Sequence, residues 1–145
     1  MKEAFVTIHS GLGAFREIDV EDLTKHRMDS EQMDASQELV DTVNAAKDAG
    51  HQVCAVGTSV LRAIATADSM GGHMKTYTGW TNKFIFPPYD FSVASSLVTN
   101  FHMPYSTMLM MVAAFGGYEL VMKAYNEAVK EGYRFGCYGD AMLIL

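Results

Sequence analysis

The sequence predicts an α/β fold: a layered mixed sheet, barrel-like if its edges close, with helices packed outside. Three observations carry this expectation. From Asp34 to Gly72 the chain reads helix, strand and helix in succession, the alternation of a layered α/β domain. From Val98 to Thr107 it reads as the end of an apolar strand, a turn bearing Pro104 and the start of a Met-rich helix. The chain ends on Met142-Leu143-Ile144-Leu145, an apolar run that pairing as a strand would bury. At 145 residues, with 49% hydrophobic and 19% charged residues, the sequence fits one domain with a core and is not of the disordered type.

The elements follow in order. Ala4–His9 is predicted as a strand, and Ser10-Gly11-Leu12-Gly13 as a glycine-bearing turn. Phe15–Val20 has the pattern of a second short strand, while Glu21–Glu31 is charged and structurally ambiguous. Asp34-Ala35-Ser36 opens a helix whose apolar stripe is Leu39, Val40, Val43 and Ala46, with Gly50 as its C′ residue. Gln52–Val56 reads as a buried strand, followed through Gly57-Thr58-Ser59 by a helix carrying Leu61, Ile64 and Ala65 and ending at Gly71-Gly72. His73–Trp80 is polar and contains glycine, which predicts a loop. Lys83–Phe86 reads as a short strand stopped by Pro87-Pro88, and Phe91–Phe101 as largely strand. Two helices are expected over Ser106–Phe115 and Tyr118–Glu131, parted by Gly116-Gly117, the second ended by Gly132.

Charge and composition narrow the function classes. The net charge is -6, and the 11 basic residues are scattered, whereas a domain that grips nucleic acid alone carries a basic face. If the protein acts on RNA, much of the phosphate grip comes from elsewhere. No apolar run is long enough to span a bilayer, so no membrane association is expected and a cytoplasmic setting is. Cys54 lies in an apolar run and Cys137 among aromatics, which suggests packed thiols rather than a disulfide.

Candidate site residues gather at strand-to-helix turns, where N–H groups and the positive end of the helix dipole converge. Asn100 and His102 stand at a strand end; Ser106 and Thr107 stand at a helix start. Gly57, Thr58 and Ser59 offer a close backbone approach and donors, and Arg62 adds a bidentate cation for a carboxylate or phosphate. The same segment also fits an ordinary turn with a capping serine and a surface arginine. His9, His26 and His102 lack any metal-ligand spacing, so no metal is expected. Among them His102 is the best placed for chemistry. Asp29 and Glu31 fit either an acid–base pair or a solvated charged face. Asp140 is a lone acid in an apolar tail beside Tyr138; it fits recognition of a diol or amine, and equally a turn aspartate bonded to its own backbone. Met108, Met110 and Met111 are read as core filler. Tyr77 and Trp80, read as loop aromatics, could stack on a base.

The order of these motifs resembles one family. Thr99-Asn100-Phe101-His102-x-Pro104-x-Ser106-Thr107, an apolar helix, and then Tyr133-Arg134-Phe135 with Tyr138-Gly139-Asp140-Ala141-Met142 resemble the S-adenosylmethionine:tRNA ribosyltransferase-isomerases of queuosine biosynthesis. Ile8-His9-x-Gly11-x-Gly13-x-Phe15 resembles the family's L-H-V-G-x-G-T-F, and His26-x-Met28-x-Ser30-Glu31 its H-x-M-H-S-E. Ala55-Val56-Gly57-Thr58 through Arg62 resembles A-V-G-T-T-S-V-R, and Phe84-Ile85-Phe86-Pro87 resembles F-I-Y-P. Four places depart from the pattern: Asp29 for His, Val60 for Ser, Ser95 for Asp, and Gly136-Cys137 for Phe-Ser.

The resemblance implies that residues 1–145 are the C-terminal part of the catalytic domain in a larger two-domain fold, with the family's N-terminal half absent from this chain. It implies transfer and isomerisation of the ribosyl part of S-adenosylmethionine, the substrate, to 7-aminomethyl-7-deazaguanine at the wobble position of tRNA. Epoxyqueuosine forms, and adenine and methionine leave. His102, His9 and Asp140 are then the candidate catalytic residues. Gly57, Thr58, Ser59, Arg62, Asn100, Ser106, Thr107 and Tyr138 are the candidate substrate contacts. The implied partners are the modified-base tRNA and the remaining half of the enzyme, without which the chain is expected not to complete catalysis. The departures make a divergent, non-catalytic nucleotide- or tRNA-binding domain the alternative. An unrelated α/β hydrolase is disfavoured because there is no G-x-S-x-G elbow.

Overall fold

The strands divide between two sheets. The computed structural model describes residues 1–69 and 71–145. Among them, β1 (Thr7–His9), β2 (Glu31–Ala35) and β4 (Tyr77–Thr81) form an antiparallel sheet in the order β1-β2-β4. β3 (Cys54–Val56), β5 (Ser96–Asn100) and β6 (Ala141–Ile144) form a mixed sheet in the order β3-β5-β6, with β3 parallel and β6 antiparallel to β5. The α/β class therefore holds, and the C-terminal apolar run is the paired strand its composition predicts.

Among the described residues four α-helices cover these sheets. α1 (Gln37–Asp48) starts where Ser36 Oγ accepts the Leu39 N–H at 3.3 Å, and it buries Leu39, Val40 and Val43. α2 (Thr58–Ala67) is buried nearly all round, with Leu61 and Ala63 fully enclosed. α3 (Thr107–Gly116) and α4 (Tyr118–Lys130) are bent by 117° at Gly117, whose φ of 80° lies in the left-handed region that glycine reaches without steric cost. Leu61, Leu97, Ile85, Met33 and Val112 are the largest fully buried side chains, each worth about 1.5–3 kcal/mol of apolar burial. No single helix among the described residues is long and apolar enough to cross a membrane.

Several local expectations are corrected. β2 lies in the charged stretch that ended as ambiguous and in the predicted helix opening. Its inward residues are Glu31, Met33 and Ala35, and its outward ones Gln32 and Asp34, so alternation is present but one inward residue is an acid. His73–Trp80 is not simply a loop: Tyr77–Thr81 pairs along the whole of β2, because backbone pairing tolerates the polar outward face of an antiparallel sheet. Phe15–Val20 forms no strand. Leu12–Phe15 is a short 3-10 helix, and Glu17 makes one isolated bridge to Ser106. Lys83–Phe86 is likewise outside the sheets, although Ile85 is buried in the core. Within β3 only Ala55 is buried, and Val56 is 65% exposed. α2 ends at Ala67, short of Gly71-Gly72. Cys54 and Cys137 are free and exposed rather than packed.

Candidate functional site

Parallel strands end on one edge of a sheet, so the turns that follow them meet. Val56 of β3 lies opposite Val98 of β5, and the Gly57 N–H donates to the Val98 carbonyl at 2.7 Å. Gly57 has φ 102°, which turns the chain sharply from β3 into α2. Thr58 is buried and Ser59 half-buried in the first turn of that helix.

At the end of β5, Thr99 Oγ1 and His102 Nε2 share a buried hydrogen bond of 2.8 Å. The His102 N–H donates to the Tyr125 hydroxyl of α4 at 3.0 Å. His102 is 8% exposed. Burial pushes its pKa down to about 4, so the imidazole is neutral at neutral pH. Burial also raises the Tyr125 phenol, partly offset by the hydrogen bond from His102. After the Pro104 turn, Ser106 caps α3: its Oγ donates to the Met103 carbonyl at 2.7 Å and accepts the Leu109 N–H at 3.1 Å. Thr107 is buried, with Oγ1 3.5 Å from the Ala14 carbonyl. The Ile18 N–H donates to the Tyr105 carbonyl at 2.8 Å, which brings the segment after β1 onto the same edge.

Arg62 is not the open cation that its spacing suggested. It is 2% exposed and forms an ion pair with Glu31, itself 3% exposed. The other Glu31 oxygen, Oε1, accepts the Gly11 N–H at 2.8 Å. The pair thus ties β2, α2 and the Gly11 turn together, and the guanidinium charge is answered inside the protein. Arg62 Nε has no hydrogen-bond partner, and burial lowers the Arg62 pKa. Retaining the charged pair in the interior requires that both partners remain.

The structure therefore sets the Gly57-Thr58-Ser59 turn beside the end of β5, which runs on into Asn100 and His102, with Ser106 and Thr107 following at the start of α3, while the Arg62 side chain is taken up by Glu31. The remaining candidates lie elsewhere. His9 is exposed on β1 opposite Gln32, in the other sheet. Asp140 is exposed, and its Oδ2 accepts the N–H of Arg134, six residues earlier, at 2.7 Å, which helps close the loop between them. Asn100 faces the same tail, its Nδ2 donating to the carbonyls of Gly139 at 3.1 Å and Asp140 at 3.3 Å. Tyr138 is fully exposed. Trp80, expected in a loop, is on β4 and 64% exposed. Among the described residues no three His, Cys, Asp or Glu side chains cluster as a metal site.

Glu31, Thr99 and Tyr125 are site residues that sequence reasoning did not weigh in these roles. Glu31 has a usable signal: it is in phase with Met33 and Ala35, so it shares their inward face. Tyr125 is in helical phase with Val121 and Ala128. Only its hydroxyl, which a buried tyrosine must satisfy, hints at a polar partner.

A family model described as queuosine biosynthesis protein matches residues 1–144. The chain is 74% identical over 142 residues to the S-adenosylmethionine:tRNA ribosyltransferase-isomerase of Parabacteroides distasonis, covering 98% of this chain and 41% of that protein. It is 55% identical over 142 residues to the protein of the same name from Flavobacterium psychrophilum, again covering 98% of this chain and 41% of the relative. A crystal structure of an S-adenosylmethionine tRNA ribosyltransferase from Thermotoga maritima superposes with a TM-score of 0.75 at 45% identity, covering 79% of this chain and 40% of that one. The chain thus spans about two fifths of the length of the curated relatives it matches. With nearly every residue inside the family match and a solved relative sharing its fold, the chain belongs to the queuosine biosynthesis protein family.

Proposed function

We propose that this chain is the C-terminal part of the catalytic domain of a cytoplasmic S-adenosylmethionine:tRNA ribosyltransferase-isomerase. The reaction moves and isomerises the ribosyl part of S-adenosylmethionine onto 7-aminomethyl-7-deazaguanine in tRNA, giving epoxyqueuosine, adenine and methionine. The observation that carries this reading is the 74% identity, over 98% of the chain, to a relative bearing that name. Polypeptide beyond these residues completes the site and supplies much of the grip on tRNA, in keeping with the net charge of -6.

The reaction needs a base for a C5′ proton acidified by the sulfonium, an acid for departing adenine, and donors for the methionine carboxylate and ribose. His102 is the first candidate for proton transfer. Burial keeps its ring neutral at neutral pH, and its Nε2 shares a hydrogen bond with Thr99 Oγ1. His9 is the second, placed on the strand just before the Gly11 turn. The Gly57-Thr58-Ser59 turn offers donors for an anion, with Arg62 acting through its pair with Glu31 to hold that turn's helix in place. Asn100 and Asp140 are candidates for hydroxyl or amine recognition. Ser106 and Thr107 shape the α3 start, and Tyr138 is an exposed ring available to tRNA.

Adenine release from S-adenosylmethionine with modified-base tRNA tests the reading. A polypeptide of the relatives' length containing these residues is expected to turn over many times, and the 145-residue chain alone is not. In the longer polypeptide, His102→Ala should lower kcat by about 10²–10⁴ with a smaller effect on S-adenosylmethionine affinity. A lowered melting temperature with an unchanged rate per folded molecule would make His102 structural. No adenine release by the longer polypeptide would refute the function.

A further inference from the structure

We infer that His102 meets the substrate as a hydrogen-bond donor through Nδ1, and that Thr99 is the positioning residue that puts the proton on that nitrogen. This rests on the function proposed above and assigns the chemistry of one residue in its site. Thr99 Oγ1 and His102 Nε2 are 2.8 Å apart in a buried hydrogen bond. A neutral imidazole carries one proton, so the bond made at one nitrogen fixes the state of the other. Thr99 is 4% exposed, and its hydroxyl has no second partner among the described residues. If Nε2 held the proton, the Thr99 O–H would be enclosed with no acceptor, an unfavourable state. With the hydroxyl donating to the Nε2 lone pair, that conflict disappears and the proton sits on Nδ1. Among the described residues Nδ1 makes no hydrogen bond, and it is not one of the enclosed atoms left without a partner. It therefore lies on the part of the ring that remains open.

The ring is carried on a fixed backbone. The Phe101 N–H donates to the Asp140 carbonyl at 3.4 Å, and the Phe101 carbonyl accepts the Gly136 N–H at 2.9 Å. The His102 N–H donates to the Tyr125 hydroxyl at 3.0 Å, and the Tyr125 ring meets Phe101 edge-on, with centroids 5.2 Å apart. An imidazole whose pKa burial has lowered to about 4 is a weak proton acceptor, but its N–H is still a donor. A donor held in place in a desolvated site stabilises an acceptor atom that gains negative charge as the reaction proceeds. Departing adenine sets that demand in the reaction above.

The first test is imidazole ¹⁵N NMR of the 145-residue chain at neutral pH. His102 should carry its proton on Nδ1. Thr99→Val, which removes only the hydroxyl, should lose that tautomer, and Thr99→Ser should keep it. The second test is adenine release by the polypeptide of the relatives' length. Asparagine places an N–H near the position of Nδ1, and glutamine near that of Nε2. His102→Asn should therefore keep about tenfold more kcat than His102→Gln, the worth of one buried hydrogen bond. Thr99→Val should lower kcat about tenfold with a smaller change in KM, and Thr99→Ser should restore it. A packing role for Thr99 gives the reverse order, because valine keeps the methyl group that serine lacks. A proton on Nε2 in the wild type, equal losses in His102→Asn and His102→Gln, or full kcat in Thr99→Val would each overturn the inference. If those results accompany a loss of kcat in His102→Ala, the proposed function stands without it. Unchanged kcat in His102→Ala would remove His102 from the reaction, and this inference with it.

Discussion

Replacing His102 by glutamine should remove most of the acid sensitivity that this residue imposes on the fold. The imidazole is 8% exposed, and burial lowers its pKa from 6.5 to about 4. In the unfolded chain it takes up a proton as pH falls below 6.5; in the folded chain it does not until about 4. The unfolded state therefore binds more protons in this window, and stability falls as pH falls. The contribution is fully present above 6.5 and is lost progressively on acidification, levelling off below about 4. At about 1.4 kcal/mol per tenfold change in proton affinity, the total is roughly 3 kcal/mol, with about 2 kcal/mol already lost at pH 5. Glutamine can still hydrogen-bond Thr99 and has no proton to gain. Urea unfolding of both proteins at pH 7 and pH 5 measures the effect, since groups common to both cancel in the difference. Wild type should lose about 2 kcal/mol more than His102→Gln over that interval. Equal losses, or an imidazole that titrates near 6.5 in a histidine NMR titration, would refute the burial argument.

Two further outcomes follow from the same geometry. Glu31→Gln or Arg62→Met alone should destabilise by about 3–5 kcal/mol in urea unfolding, because each leaves a buried charge unanswered, whereas Glu31→Leu with Arg62→Met should recover most of that loss. Ser106→Ala should cost about 1 kcal/mol and raise amide exchange in the first turn of α3, because the Leu109 N–H loses its acceptor.

The helices were well marked in the residues themselves. Ser36 and Ser106, read as helix openings, cap α1 and α3, and Gly117 breaks α3 from α4, because these signals act over one turn of backbone; the capping serine read at Ser59 is not one, since α2 starts from Gly57 with no side-chain cap. The parallel pairing of β3 with β5, and the meeting of the turns after them, could be anticipated from strand–turn–helix order. The first sheet was much harder to read. β2 alternates but carries the acid Glu31 inward, and β4 is Tyr-Thr-Gly-Trp-Thr, so neither reads as a clean apolar alternation. Each strand exists because the other supplies its hydrogen bonds, a long-range condition that no local window contains.

The sequence alone determined the α/β class, the limits of α1, α3 and α4, the strand-end position of His102 and, through its ordered motifs, the family. Those depend on backbone propensity, capping and residue identity, all local properties. Only the tertiary structure decided that Arg62 is enclosed and paired with Glu31, that His102 is neutral between Thr99 and Tyr125, and that Asp140 bonds a neighbouring backbone N–H. The charge state and availability of a side chain depend on what desolvates it and what answers its charge. Here those partners come from strands and helices separated by many residues in the chain, and only packing brings them together.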